Sequence, residues 1–175
     1  MTQRKIRTSS PNRKKVKAKA KKPTIAQIKK KLWHIFSQYI RIRDANKQGY
    51  VECVCSGKKM YWKGKRGVSG QNNAGHFIAK KFCPPLYYEE SNVHCQWSYI
   101  NNVAEGLQYI HGLYIIKRYG QKEMDRLWKI SNEYSIWKEK NPNKTYTWDR
   151  AWLDAKVIEY TNKLKIELEK RNIKI

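Results

Sequence analysis

The sequence lacks the marks of a membrane-spanning or secreted protein. No run of apolar residues approaches the roughly 20 residues that cross a bilayer, and the start, MTQRKIRTSS, has no apolar core of the kind found in secretory signals. Cysteine is also scarce, and a cytoplasmic setting would keep all four thiols reduced. We therefore expect a cytoplasmic protein with no membrane partner.

Acidic residues are few as well. There are 14 Asp and Glu against 38 Lys and Arg, which gives a net charge of +24 and a pI near 10. This balance is typical of proteins that bind a polyanion, and nucleic acid is the first candidate. A membrane surface is the rival, but no amphipathic stretch carries a clean basic face.

The basic excess is strongest at the N-terminus. Residues 1–31 contain 13 Lys and Arg and no Asp or Glu. Residues 1–22 show no hydrophobic period, so we interpret them as a flexible basic arm that adds salt-sensitive, sequence-independent affinity for phosphates. A solvated tail that only aids solubility is the alternative. The arm is favoured because the rest of the chain is basic too.

The remaining residues predict one α+β domain with helical appendages. Thr24 and Gln27 form a capping box ahead of an apolar period, which predicts an N-terminal helix within 23–49 that ends near Asp44. A core at 50–120 and a helical extension at 121–175 follow. We predict strands at 50–54, 59–62, 74–79, 86–88 and 93–97, helices at 102–119, 121–132 and 147–171, and a polar connector at 133–146.

Two strands that frame a loop and are followed by a helix make a ββα arrangement, and histidine and asparagine cluster within it, between Gly75 and Asn102. Phosphodiester hydrolysis needs a water made nucleophilic and a cation that neutralises charge on the phosphate. A neutral histidine can accept the proton of the water near pH 7, and an amide oxygen suits Mg²⁺. A second asparagine can hold the imidazole in one tautomer. The stretch therefore predicts a metal-dependent nuclease site.

Five segments follow one another in the order of a known family. They are residues 36–44 (FSQYIRIRD), 49–53 (GYVEC), 74–77 (AGHF), 90–96 (ESNVHCQ) and 106–113 (GLQYIHGL). Together they resemble the NinG (Rap) recombination family of bacteriophages, over roughly residues 30–125. The resemblance implies an HNH-like, ββα-metal fold and a Mg²⁺- or Mn²⁺-dependent endonuclease. Its substrate would be branched DNA, such as Holliday-junction-type recombination intermediates in the cytoplasm of the host cell.

The resemblance also implies roles for individual residues. The histidine of the Ala-Gly-His-Phe motif falls on His76, which would be the general base. The asparagine of the middle motif falls on Asn92, which would be the second catalytic residue, and the metal-ligand asparagine falls on Asn101. Because Gly75 offers no side chain as a second ligand, we expect the metal to rest on Asn101, helped by Asn102, and to bind weakly without DNA.

The chain departs from the family at its zinc knuckle. Two Cys-x-x-Cys pairs are usual there, whereas this chain has Cys53, Ser56, Trp97 and Ile100 in those places. One thiolate cannot hold a structural zinc, so we expect none, with Trp97 and Ile100 packing as apolar residues instead. The alternative is a rebuilt zinc site from Cys53, Cys55, Cys83 and Cys95 or His94.

Several basic residues are candidates for DNA contact. They are Arg41 and Arg43 on the N-terminal helix, Lys63, Lys65 and Arg66 in the loop before the third strand, and Lys80 and Lys81 after it. A solvated polar face is the alternative for each. Because a four-way junction is symmetric, a two-fold dimer would suit it.

Two other functions fit the same composition. One is a relative that binds DNA without cleaving it, which the lost knuckle suggests. The other is a basic packaging or virion protein, which the charge alone would permit. The nuclease is favoured because His76, Asn92 and Asn101 all stand in place.

Overall fold

The structure, a computed structural model, describes residues 22–64, 71–104 and 106–173, which form a mixed α+β fold. Within these residues, no helix combines the length and apolarity needed to cross a bilayer. In chain order the elements are α1 (Ile25–Arg43), β1 (Tyr50–Glu52), β2 (Lys59–Tyr61), β3 (Asn72–His76), β4 (Val93–Trp97), α2 (Ser98–Asn102), α3 (Gln108–Tyr119), α4 (Gln121–Lys140) and α5 (Arg150–Glu169).

Helix α1 forms as its capping box and apolar period predict. The Thr24 side chain accepts a hydrogen bond from the Gln27 backbone, and the Gln27 side chain accepts one from the Thr24 backbone. The helix ends at Arg43, with Asp44 as its C-cap. Its apolar face packs mainly against α5, where the Phe36 and Tyr160 rings meet edge to face, with centroids 4.8 Å apart. The two ends of the described chain therefore share one core.

The strands form two antiparallel pairs, β1 with β2 and β3 with β4. In the second pair Gly75 lies opposite His94, and His76 lies opposite Val93. Helix α2 follows β4 without a gap, and both strands of this pair contact α1. The start of α2 therefore lies beside the start of β3, where the Ser98 N–H donates to the Gln71 carbonyl, and α2 packs along β3.

Proline and glycine explain two differences from the predicted elements. The predicted strand at 86–88 is wrong: Pro84–Leu86 is a 3-10 turn, because two prolines cannot donate to a ladder. The predicted helix at 102–119 begins only at Gln108, as α3, whereas the short helix α2 ends at Asn102. Gly106 and Leu107 separate them with φ values of 79° and 45°, which a continuous right-handed helix excludes.

One boundary of the C-terminal helices differs from its predicted position. Helix α4 continues to Lys140, eight residues beyond the predicted end at Asn132, so the first part of the predicted polar connector is wrong. Tyr134 packs against buried side chains there, and its ring stacks on Trp137. Helix α5, at Arg150–Glu169, lies within the predicted range of 147–171.

A second, smaller apolar cluster lies beneath the segment that follows β3. It joins that segment to α3 and α4 through Phe77, Ile78, Cys83, Leu86, Ile115, Met124 and Leu127. Burial of each such side chain contributes on the order of 2 kcal/mol. The cluster therefore fixes the backbone directly after His76.

A chain of buried polar side chains connects β4 to α3. His94 Nδ1 lies 2.9 Å from His111 Nε2, and His94 Nε2 lies 3.2 Å from the Tyr119 hydroxyl. His111 Nδ1 lies 3.4 Å from Gln96 Nε2, which can only donate. This order satisfies every group when each ring carries one proton, on Nε2. Burial lowers the pKa of His94, and it lowers the pKa of His111 to about 3.

Acidification from pH 7 to pH 5 should weaken the fold. The unfolded chain takes up protons on its histidines below about pH 6.5, whereas buried His111 stays neutral until about pH 3. The free energy of unfolding therefore decreases as the pH is lowered from 7 to 5. We expect His111 alone to contribute about 2 kcal/mol of the loss. Denaturant unfolding at both pH values measures it.

The matched variants are His111→Gln and His34→Gln, the latter at an exposed position on α1. His111→Gln should reduce the pH dependence by about 2 kcal/mol, and by more than His34→Gln does. An identical pH dependence in wild type and His111→Gln would contradict the assignment.

Candidate functional site

An open cleft of about 890 Å³ lies between the end of β3 and the start of α3. His76, Asn101 and Asn102 all line it, although they come from different elements. Lys80, Lys81, Trp33 and Phe82 contribute further walls. The structure thus brings together the histidine and the asparagine pair that the sequence singles out.

His76 is held at the end of β3 by a hydrogen bond and by stacking. Its Nε2 lies 3.0 Å from the carbonyl oxygen of Tyr87, and a carbonyl only accepts, so Nε2 carries the proton of the neutral ring. The lone pair is then on Nδ1. The indole of Trp33 stacks on the imidazole, with ring centroids 5.3 Å apart and planes inclined by 16°.

These surroundings keep His76 neutral. Burial, together with the positive charge of Lys80, lowers its pKa to about 4, although the hydrogen bond to the Tyr87 carbonyl opposes the shift. The Lys80 ammonium lies 5.6 Å from the Trp33 ring centroid and 5.2 Å from that of Tyr87. An unprotonated Nδ1 is therefore present throughout the neutral pH range.

The Asn92 side chain is engaged by the main chain. Among the described residues its amide bonds to backbone groups only. Its Oδ1 accepts from the Ile78 N–H at 2.8 Å, and its Nδ2 donates to the carbonyls of Ile78 and Leu86 at 3.0 and 3.1 Å. Asn92 is fully buried. It acts on His76 through the main chain that leaves β3.

Asn101 and Asn102 are not equivalent. Asn101 Nδ2 donates to Asn102 Oδ1 at 3.0 Å, which orients the Asn101 amide. Asn101 Oδ1 faces Gly75: a β-carbon on that glycine would lie only 2.7 Å from it. Asn102 is exposed and its oxygen is engaged, so Asn101 is the better placed of the two to offer an oxygen to a cation.

Arg41 and Arg43, two of the predicted DNA contacts, are engaged in hydrogen bonds within the protein. Arg43 pairs with Asp44 at 2.8 Å and donates to the carbonyls of Glu90 and Val93. Arg41 donates to the carbonyl of Ser37 and to Asn72. Both guanidinium groups face inward, because buried carbonyl and carboxylate oxygens at the end of α1 need donors.

The other predicted DNA contacts are either exposed lysines or lie outside the described residues. Lys80 and Lys81 are exposed beside the cleft, and Lys63 is exposed after β2. Lys65, Arg66 and all but the last residue of the predicted basic arm lie outside the described residues.

The cysteines do not assemble around one point. Cys53 and Cys95 are buried in the larger core, whereas Cys83 belongs to the smaller cluster, which contradicts a site made from all four. Across residues 22–64, 71–104 and 106–173, no three His, Cys, Asp or Glu side chains are grouped to hold a metal. A hydrogen bond from Cys55 to Cys53 lowers the pKa of Cys53 and raises that of Cys55.

Apolar packing occupies the predicted knuckle positions. Ile100 is buried in the larger core and Trp97 packs against it, as expected. The Lys58 ammonium lies 3.7 Å from the centroid of the Trp97 ring. These contacts connect the loop after β1 to the start of α2.

Sequence reasoning missed Trp33 and Gln96. Trp33 reads as one more residue of an apolar helix period, and only the fold shows that it covers His76. Gln96 is fully buried, with its amide oxygen against Gly75. The one available signal was Gly75 itself, because a glycine in a strand often marks the close approach of another group.

Loss of the Asn92 amide should destabilise the protein strongly. Asn92→Ala leaves the buried N–H and carbonyl of Ile78 without their side-chain partner and removes one of two hydrogen bonds to the Leu86 carbonyl, so we expect the free energy of unfolding to fall by about 3 kcal/mol. Denaturant unfolding measures the change. Asn162→Ala, at an exposed position on α5, should change it by less than about 0.5 kcal/mol. Equal effects of the two variants would contradict the bonding described for Asn92.

The His76 ring should titrate far below an ordinary histidine. We expect an NMR titration of the ring signals to give a pKa near 4. Lys80→Ala should raise the value, because a nearby positive charge disfavours the protonated ring. A His76 pKa of 6 or above would show that the ring is hydrated.

The chain was compared with known proteins at the level of families, curated proteins and solved structures. The model of the family described as Bacteriophage Lambda NinG protein matches residues 1–165 of the 175. No curated protein and no solved structure matches. Because the family match extends over nearly the whole chain, the protein belongs to the bacteriophage lambda NinG family.

Proposed function

We propose that this protein is an HNH-like, divalent-metal-dependent endonuclease that cuts branched DNA. The observation that carries the proposal is the shared cleft: an imidazole with its proton on Nε2 and an asparagine amide line one open space with two exposed lysines. The antiparallel pair β3–β4 followed directly by α2 supports a ββα-metal core.

His76 is the general base of the proposed reaction. With Nε2–H held by the Tyr87 carbonyl, Nδ1 is the nitrogen that accepts a proton from the attacking water. The Trp33 ring prevents the imidazole from tilting and limits its hydration. Asn92 helps to fix the position of His76 by binding the backbone of Ile78, two residues further along the chain.

The residues present fit a hard cation. Asn101 presents an amide oxygen toward the space beside Gly75, and amide oxygens suit Mg²⁺ and Mn²⁺. When bound there, such a cation would neutralise charge that develops on the phosphate and on the leaving oxygen. Asn102 holds the Asn101 amide in the orientation that this requires.

Charge and aromatic surface suit a DNA branch. Lys80 and Lys81 can hold phosphates next to the cleft, and Phe82 is 63% exposed there, with the Lys81 ammonium 4.6 Å from its ring centroid. Exposed aromatic rings stack on unpaired bases, which a branch point supplies and a regular duplex does not. Since a four-way junction has two-fold symmetry, a two-fold dimer is part of the proposal.

The test compares four-way-junction and linear duplex DNA with wild type, His76→Ala and His34→Ala, in Mg²⁺ and in Mn²⁺. We expect wild type and His34→Ala to cut the junction faster than the duplex. His76→Ala should cut it roughly 100-fold more slowly or worse, because a positioned base contributes about that much. Electrophoresis of end-labelled strands measures the rates.

Two outcomes would reject the mechanism. Undiminished cleavage by His76→Ala would remove His76 from the chemistry. Tight junction binding by wild type with no cleavage in either metal would leave a DNA-binding protein that does not cut. Sedimentation with and without junction DNA tests the dimer separately.

A further inference from the structure

The buried side-chain amide of Gln96 has an oxygen that accepts no hydrogen bond from the described residues. The side chain lies on β4 and is fully buried, yet among the described residues its Oε1 has no hydrogen-bond partner. A buried carbonyl oxygen without a partner is unfavourable by about 1–3 kcal/mol. Such an atom therefore calls for an explanation.

The contacts of the amide nitrogen, Gln96 Nε2, determine the direction of the amide oxygen. Gln96 Nε2 donates to the carbonyl of Gly106 at 2.8 Å and faces Cys55 Sγ at 3.2 Å and His111 Nδ1 at 3.4 Å. Rotating the amide by 180° would place two carbonyl oxygens against each other at Gly106. The observed orientation is thus enforced, and it directs Oε1 toward Gly75.

Gly75 keeps space for that oxygen. A β-carbon at Gly75 would overlap Gln96 Oε1 and would lie 2.7 Å from Asn101 Oδ1, so both oxygens lie within 2.7 Å of one point. The backbone there is not in the left-handed region, so conformation alone does not require glycine. Glycine is needed there because a side chain at position 75 would occupy the space between Gln96 Oε1 and Asn101 Oδ1.

We infer that Gln96 Oε1 and Asn101 Oδ1 together form a divalent-cation site next to the cleft, which Asn101 lines, with Gly75 as the residue that leaves room for it. The inference rests on the proposed function and names the second protein ligand that Gly75 cannot supply. Two neutral oxygens are typical of a weak Mg²⁺ or Mn²⁺ site in which water and substrate phosphate complete the coordination.

The buried histidine chain supports the same assignment. His111 Nδ1 accepts from Gln96 Nε2, and His111 in turn bonds to His94. Outer hydrogen bonds of this kind orient a ligand and increase its electron density. The chain from Tyr119 to Gln96 thereby ends at the inferred cation.

The test measures Mn²⁺ binding to the full-length, DNA-free protein by electron paramagnetic resonance of the free ion. Wild type should bind one Mn²⁺ weakly, and Gly75→Ala should weaken binding at least tenfold, because its methyl group displaces both oxygens. Asn101→Ala should do the same. The control is Gly64→Ala, whose β-carbon would meet its nearest atoms at an ordinary 3.5 Å, and it should change affinity less than twofold.

A second measurement needs no variant. Mn²⁺ added to wild type should broaden the side-chain amide NMR signals of Gln96 and Asn101 before that of Gln48, which is exposed in the turn after α1. Broadening confined to surface carboxylates, or Mn²⁺ affinity unchanged in a folded Gly75→Ala, would overturn the site.

The two proposals fail in different ways. Cleavage that depends on His76, together with unchanged Mn²⁺ binding in Gly75→Ala, rejects the Gln96 site and keeps the nuclease. Mn²⁺ binding that depends on Gly75 and Asn101, in a protein that cuts no DNA, keeps the site and rejects the nuclease.

Discussion

The geometry of the candidate site depends on one buried amide. Asn92 precedes β4 in the chain, yet its side chain binds Ile78 on both backbone groups, as a neighbouring strand would, and binds Leu86 as well. The segment between those residues carries Lys80 and Lys81 to the edge of the cleft. An amide is the one kind of side chain that accepts and donates with this spacing. A single residue thus extends the β3–β4 pairing past the end of the strands.

Charge is sorted between the inside and the outside of the domain. Asp44 binds Arg43 and Arg118 and so connects α1 to α3, and pairing with both guanidinium groups lowers its pKa. Glu90 accepts from Tyr39 on α1 and from Lys163 on α5. These acidic residues are used to join helices. Basic residues such as Lys63, Lys80 and Lys81 are left exposed, which strengthens the attraction of the surface for a polyanion.

Sequence patterns predicted what depends on local physics. The capping box and apolar period gave α1 its start and end, and the strand predicted at 93–97 has the bounds of β4. The proximity of His76 and Asn101 followed from a hairpin and a helix in close succession. The internal partners of Arg41 and Arg43 could not be predicted, because a positive charge near a helix end has the same sequence pattern whether it faces solvent or a buried carbonyl. Gln96 was missed because its contact with Gly75 exists only once β3 and β4 are paired. The left-handed backbone of Leu107 was missed because leucine does not favour that conformation.

The pairing of α1 with α5 has a consequence for synthesis. Leu32, Phe36 and Ile40 are buried together with Leu153, Tyr160 and Leu164, more than a hundred positions later in the sequence. A nascent polypeptide leaving the ribosome therefore presents the apolar stripe of its first helix uncovered until translation has passed Arg150. Such distant contacts form late and slowly. The abundance of lysine around that stripe gives the unfinished product a repulsive charge that opposes its aggregation.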